Sequence, residues 1–476
     1  MMFKDLGKSI LIYGVASSIG KFVGLFFVPI YTRIFSPEVY GIIDIISVTI
    51  GLISILGILQ LESAISRYYY SSKDEQERQE RISTAFWTVI AISSILVVLL
   101  IGFSEILSNL LFNSAKYAII ISLASFILPL ANIFSLYTVI IRFLDKPILY
   151  TLIVIAQLVV TVSASIILVV YLDKGIIGVF LGQILGLVVG VLLGTILLID
   201  KIRLNWKWDY LKEMFRYSLP MVPGLIGGWL NVNAGRLVIL SYLTLSEVGQ
   251  YSVALKVASI VALLESAFGM AWGPFMWKNF EKPNHRHIYQ RVMKIVSIFI
   301  FSIVALVALF GEQMVHLLSP VEYWGAGHLI GFIAFSIGLR IVGQTIRLGA
   351  GITKRTEYNT LTMFISVAVN IVLLIVLVPT FGIFGVPVSL FISTCVLIVI
   401  GWYVSERLYF IGFSKIYFGV AYVLTLSVVL FSAFSDINMF IKILISLVAI
   451  ISLSAFPFIG RDPIFKLSSI SIFGRK

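Results

Sequence analysis

The sequence predicts an all-α integral membrane protein with fourteen transmembrane helices: two pseudo-symmetric six-helix lobes plus two C-terminal helices. Three observations lead there. Of the 476 residues, 59% are hydrophobic and only 12% are charged, where a soluble domain carries about 25% charged residues; mean hydropathy is +1.05. The apolar residues gather into fourteen stretches, each close to the roughly 20 residues that a helix needs to cross a bilayer. The basic residues between those stretches fall almost wholly on one side, which sets orientation through the positive-inside bias.

In chain order the stretches cover residues 10–31, 39–63, 83–103, 117–141, 147–170 and 176–199 in the first half. The second half adds 217–240, 249–273, 292–310, 326–346, 359–378, 383–404, 416–433 and 438–456. The first runs on through Pro29 to Tyr31, so it reads as a retained helix and not a cleaved leader. Pro220, Pro223, Pro274 and Pro387 blur the second-half boundaries, because a proline in a membrane helix can kink it without ending it.

With the N-terminus placed in the cytoplasm, only Arg33, Lys116, Lys174 and Lys442 of the 35 basic residues fall on the outer side. Lys21, Arg236, Lys256 and Arg340 lie inside stretches, and all the others are on the inner side. Both termini are then cytoplasmic. One missed helix would scramble this alternation downstream, so the bias supports the count as well.

The break DKIRLNWKWDYLKEMFR, residues 200–216, mixes aromatic and basic residues as an interfacial linker does. It separates an N-terminal lobe, 1–205, from a second lobe, 206–410, and a helix pair with a tail, 411–476. A short internal echo accompanies the division. PEVYGI at 37–42 and SEVGQY at 246–251 each bring a Glu-Val pair and a glycine to the outer start of an even-numbered helix. Six helices apart, they share an orientation, as in a parallel repeat.

Several function classes drop out. The formal charge of +12 lies in short loops, where topology and anionic headgroups explain it better than nucleic acid does. The single cysteine, Cys395, supports neither a zinc site nor a disulfide framework. No loop is long enough for a nucleotide-binding fold and no GxxxxGK[ST] run occurs, so no enzyme activity, metal or cofactor is expected. Gly182, Gly186, Gly190 and Gly194 form a small-residue stripe for close helix packing, not a phosphate loop.

What remains is charge inside the membrane, which usually faces a partner or a wet cavity. The cations are Lys21, Arg236, Lys256 and Arg340, with Arg33 at a helix end; Asn231 and Asn233 accompany Arg236. The deep acids are Asp44, Glu62 and Glu265. One reading pairs these charges or lets them snorkel. The other assigns the basic set and the two asparagines to an anionic substrate, since four cations exceed three acids. Arginine holds phosphate in a fork and lysine acts as a point charge. Glu62, Glu265 and Asp44 then serve ion coupling or gating, with H+ or Na+ as the coupling ion.

Two segments also carry a family resemblance. GVASSIGKFVGLFFVPIYTRIFSPEVYGIIDI, residues 14–45, contains Thr32-Arg33 followed by Ser36, Glu38, Tyr40 and Gly41. NAGRLVILSYLTLSEVGQYSVALKVA, residues 233–258, places Arg236 where the second segment of the pattern has its arginine. Together they resemble bacterial polysaccharide or O-antigen flippases, in the superfamily that includes multidrug and toxin extrusion transporters and the lipid II flippase. In that family an aspartate commonly precedes the arginine; here Gly235 stands in its place, which leaves Arg236 freer to face substrate. The resemblance implies alternating access for an undecaprenyl-diphosphate-linked oligosaccharide, carried from the cytoplasmic to the outer leaflet of the bacterial inner membrane. A gradient or the membrane potential would drive it. A polysaccharide polymerase and glycosyltransferases would be its neighbours. The runner-up is a cation-coupled small-molecule antiporter of the multidrug-extrusion type.

Overall fold

The computed structural model describes residues 24–459 except 70, 73, 145 and 435–437. The chain resolves by internal contacts into two compact units. The first comprises Met1–Ser252 with Leu374–Ile383, the second Val253–Leu373 with Phe384–Lys476.

The described first unit opens with α1 (Gly24–Ile34). There follow α2 (Pro37–Ile58), α3 (Leu61–Tyr69), α4 (Glu75–Gly102), α5 (Ser104–Phe112), α6 (Ala118–Ser125), α7 (Ile127–Phe143), α8 (Pro147–Ile166), α9 (Gly175–Leu198), α10 (Trp208–Ser218) and α11 (Val222–Tyr242). The long helix α12 (Leu245–Phe280) starts in the first unit and continues into the second. Beyond it come α13 (His285–Leu318), α14 (Ile330–Ile346), the single turn α15 (Gly349–Ile352), α16 (Glu357–Phe381), α17 (Gly385–Leu408), α18 (Lys415–Phe434) and α19 (Met439–Ile459).

Ten of the described helical segments are long and apolar enough to cross a membrane, so the expected count of fourteen is not reproduced as fourteen separate spans. The differences have local causes. α11 carries Asn231, Asn233 and Arg236, which dilute its hydropathy. α16 and α17 run together through one turn of tighter helix at Gly382–Phe384 into a single segment, Glu357–Leu408. The start of the first stretch lies outside the described residues, so only Gly24–Ile34 of it is described.

The prolines behave as membrane helices allow. Pro220 sits in a short tight turn and Pro223 in the first turn of α11, where no N–H is needed. Pro387 is likewise in the first turn of α17. Pro274 lies inside an uninterrupted α12.

In the first unit the glycine stripe packs as expected. Cβ atoms on Gly182, Gly186, Gly190 and Gly194 would run into Ser165, Thr161, Phe134 and Tyr137, so α9 lies directly on α8 and α7. The break at 199–207 is not a loose linker. Arg203 N donates to Ser83 Oγ at 2.8 Å, Lys207 N to Thr84 Oγ1 at 3.2 Å, and Trp206 Nε1 to Thr88 Oγ1 at 3.0 Å. Trp87 Nε1 returns a bond to Arg203 O at 2.9 Å. Lys207 Nζ reaches Glu80 Oε2 at 2.6 Å, and Lys201 Nζ reaches Glu75 Oε1 at 2.6 Å. The strap leads into the amphipathic α10, which buries Leu211 and Met214. Arg81 sits between Glu77 and Glu213, with the rings of Tyr68 and Tyr210 against its guanidinium. Tyr68 therefore joins α3 to α10.

In the second unit α14 is the hub. Nearly all of its residues are buried, and Gly338 and Gly331 let α13 approach closely. A helix covered all round must be apolar all round, so its one charge, Arg340, needs a partner. Phe335 on this helix stacks with Phe391 of α17 and meets Phe301 of α13 edge-on. α19 is held on α13 by Lys442, whose side chain is 3% exposed and whose Nζ lies 2.9 Å from Glu312 Oε2. Lys442, assigned to the outer side from sequence, is a buried docking residue.

Candidate functional site

The internal echo proves to be a contact. A Cβ on Gly41 would collide with the carbonyl oxygen of Leu245, and one on Gly249 with the carbonyl oxygen of Pro37. Each glycine of the two related segments thus admits the backbone of the other, all within the first unit. The flanking residues start the helices. Ser36 Oγ accepts from Val39 N at 3.4 Å. Glu247 Oε2 accepts from both the N and Oγ1 of Thr244 at 2.9 Å, and Glu247 N donates back to Thr244 Oγ1 at 3.3 Å, which is a capping box.

One turn beyond the first glycine stands Asp44. Its Oδ2 lies 2.5 Å from Arg236 Nε, and both side chains are 11% exposed. The same oxygen accepts from Ser252 Oγ at 2.7 Å, while Arg236 Nη1 donates to Asn233 Oδ1 at 2.6 Å. Asn233 is anchored in turn to Trp229 O at 2.9 Å. Four candidate residues or their neighbours on α2, α11 and α12 therefore form one network. The acid missing at position 235 is supplied by Asp44 from α2, which corrects the expectation that Arg236 is left free to face substrate. Asn231 is buried on the same helix.

A second pair lies in the second unit. Arg340 on α14 holds Glu265 on α12 with both arms of its fork, Nε to Oε1 and Nη2 to Oε2, each at 3.0 Å. Below it, Trp272 Nε1 donates to Gln344 O at 3.1 Å. Trp272 is buried and packs within the unit, whereas Trp277 is half exposed.

The third acid is different. Glu62 is half-buried on α3 and accepts from Ser135 Oγ of α7 at 2.6 Å. One turn along α7, Asn132 accepts from Ser54 Oγ at 2.6 Å and donates to Ser93 Oγ at 3.2 Å, joining α2, α4 and α7. Lys256 is half-buried on α12. Arg33 is exposed, and its Nη1 donates to Pro29 O at 2.6 Å, closing the end of its own helix. Lys21 lies outside the described residues. Sequence reasoning thus found the interior charges but not their pairing, and it missed the Lys442–Glu312 and Asn132 links. The signal for Asn132 was an amide in the middle of the 117–141 stretch.

Two neutralised charge pairs, a helix break beside a third acid and ten apolar helices of membrane-crossing length define a multi-pass membrane protein. Comparison with known proteins makes the class specific. Residues 30–324, more than half of the chain, match the family model described as "Polysaccharide biosynthesis protein", and the chain belongs to that family. It is 26% identical over 215 residues to the capsular polysaccharide biosynthesis protein CapF of Staphylococcus aureus, covering 44% of this chain and 54% of that one. It is 24% identical over 275 residues to the succinoglycan biosynthesis transport protein ExoT of Rhizobium meliloti (strain 1021), covering 55% and 52%. The chain spans about half the length of these curated relatives in the matched regions. Among solved structures, its fold resembles the lipid II flippase MurJ in an inward closed conformation, with TM-score 0.70 and 15% identity over 94% of this chain and 99% of that one. It also resembles an inward-facing multidrug resistance MATE family transporter of the MOP superfamily, with TM-score 0.60 and 16% identity over 84% and 97%.

Proposed function

We propose that this protein is a flippase for a lipid-linked oligosaccharide, carrying undecaprenyl-diphosphate-linked repeat units from the cytoplasmic to the outer leaflet of a bacterial inner membrane by alternating access. Membership of the polysaccharide biosynthesis family carries this reading. The fold likeness to a lipid flippase supports it, extending over 94% of the chain against 84% for the multidrug transporter. The charge bias of the loops supports cytoplasmic termini. The reading assigns no covalent chemistry to the chain; a polymerase and glycosyltransferases would act before and after it.

The pairing of Arg236 with Asp44 and of Arg340 with Glu265 modifies how the cargo would be held. These cations carry carboxylate partners in the present state. A diphosphate would therefore bind by exchanging with a carboxylate, with Lys256 and Lys21 as the other basic candidates. An ion gradient or membrane potential would supply the energy.

The test is translocation of a lipid-linked oligosaccharide in proteoliposomes, followed by lectin accessibility from each side. The reading predicts protein-dependent, gradient-sensitive appearance of sugar on the far side. Export of small cationic dyes with no lipid movement would overturn it in favour of an antiporter, the second reading, which the MATE-like fold supports.

A further inference from the structure

The second apolar stretch is not one helix. Leu59 N still donates to Ile55 O at 3.0 Å, and bonding resumes where Ser63 N and Ala64 N reach Gln60 O at 3.0 and 3.3 Å. Between them, Leu59 and Gln60 lie at φ +46° and +57°, the left-handed region that non-glycine residues rarely adopt. Two such residues in succession inside an apolar stretch are strained backbone of the kind that clusters at functional positions. Interrupted helices in transporters turn backbone oxygens towards coupling ions.

The surroundings of this break are rich in oxygen. Gln60 is buried, and its Oε1 accepts from Ser63 Oγ at 2.5 Å. Glu62 accepts from Ser135 Oγ, and the Asn132 amide closes over Gly57 at the end of α2. Asp44 and Glu265 each face an arginine. Among the described residues no cation pairs with Glu62.

The charged groups on the elements against α3 are engaged elsewhere or exposed. On α4, Arg81 is taken by Glu77 and Glu213, Glu80 by Lys207, and Glu75 by Lys201 and Arg78. On α10, Asp209, Lys212 and Arg216 are exposed, and Tyr210 lies against Arg81 and Lys207. On α7, Arg142 is exposed and Tyr137 bonds Thr195. On α3 itself, Arg67 lies over Tyr217, Tyr68 OH donates to Glu213 O, and Tyr69 stacks on Phe143.

We infer that the α2–α3 break is a monovalent-cation site, taking Na+ or H+ at the Glu62 carboxylate with Ser135 as its first neighbour. A half-buried carboxylate with no cation against it among the described residues is costly, and a bound cation removes that cost. The strained, interrupted backbone can change conformation when the charge is neutralised. This deepens the transport reading by locating the coupling ion, and it rests on that reading only for the ion's role.

Binding is tested on the purified full chain in detergent, without transport. One arm titrates NaCl against choline chloride at constant ionic strength and follows intrinsic tryptophan fluorescence and isothermal heat. The other arm records infrared pH-difference spectra without Na+, reading the protonated-carboxyl band. Glu62→Gln keeps shape and size, and size-exclusion chromatography verifies its fold; Ser135→Ala is the milder variant. A saturable Na+ response that Glu62→Gln abolishes and Ser135→Ala weakens several-fold supports a sodium site. A carboxyl band that Glu62→Gln abolishes supports a proton site. If wild type shows neither, or if both signals persist in a folded Glu62→Gln protein, the inference is overturned. Failure of lipid translocation alone would count against the flippase reading, not against this site.

Discussion

Replacing Asp44 by alanine should destabilise the protein far more than loss of one surface charge. The Arg236 guanidinium would stay in a pocket where only 11% of the side chain is exposed, with the Asn233 oxygen as its remaining acceptor. Stranding one member of a buried ion pair costs about 3–5 kcal/mol. Replacing Arg236 by methionine strands Asp44 instead, which keeps the Ser252 hydroxyl as donor, so a smaller loss is expected. The double variant Asp44→Ala/Arg236→Met removes both charges and both desolvation penalties, so it should recover most of the loss. The pair should show a coupling energy of about 3 kcal/mol or more, at the top of the range measured for residues in contact. Equilibrium unfolding of the four proteins in the same mixed micelles, followed by far-UV circular dichroism, gives the cycle. If the double variant loses the sum of the two single losses, the residues are not coupled and the network described here is wrong.

Three further outcomes follow from the packing. Gly41→Val and Gly249→Val should each abolish monodisperse protein on fluorescence-detected size exclusion, because the new Cβ meets a backbone carbonyl that cannot swing away; Gly51→Ala, whose nearest neighbour is Trp229 Nε1 at 3.7 Å, should be tolerated. Glu312→Ala should strand the buried Lys442 at a cost of about 3 kcal/mol or more and raise hydrogen exchange across α19, and Glu312→Ala/Lys442→Met should restore protection. Glu80 holds the Lys207 ammonium above its ordinary range through a direct bond. Its contribution is therefore present below the unfolded lysine value and lost as pH rises through the raised folded value. On the alkaline side the strap should loosen only in strongly alkaline solution, read by Trp206 fluorescence, and Lys207→Gln should remove that alkaline step.

Membrane architecture was legible because it depends on local composition. Length, hydropathy and loop charge are properties of contiguous segments, and so are helix starts. Helix starts could have been read as well: Thr244 and Glu247 stand at capping-box spacing and start α12 at Leu245, ahead of the 249 start inferred from hydropathy. What sequence could not supply was which helices are neighbours. Asp44 and Arg236 were both singled out, yet nothing in either segment says that α2 and α11 touch, and Gly235 in the position of a familiar acid pointed the other way. The same limit explains Lys442, assigned to the outer side by its position at the edge of a stretch, although α13 offers it Glu312. It explains the strap too: Ser83, Thr84 and Thr88 mark a polar face on α4, but only the fold shows that residues 199–207 lie against it.

The function of the interior charges changes once they are paired. An excess of four cations over three acids suggested a permanently basic path for an anion. The structure neutralises Arg236 and Arg340 with two of those acids and leaves Glu62 among hydroxyls and amides at a broken helix. Neutral pairs in the resting state are compatible with an apolar span, whereas standing free charges are not. A transporter built this way can expose positive charge when a carboxylate is displaced or its helix moves. The residue to watch is then not the most basic one but the acid without an arginine. Glu62 is where adding or removing one cation changes the local net charge with no competing partner among the described residues, and the left-handed turn at Leu59 and Gln60 gives that change a backbone to act on.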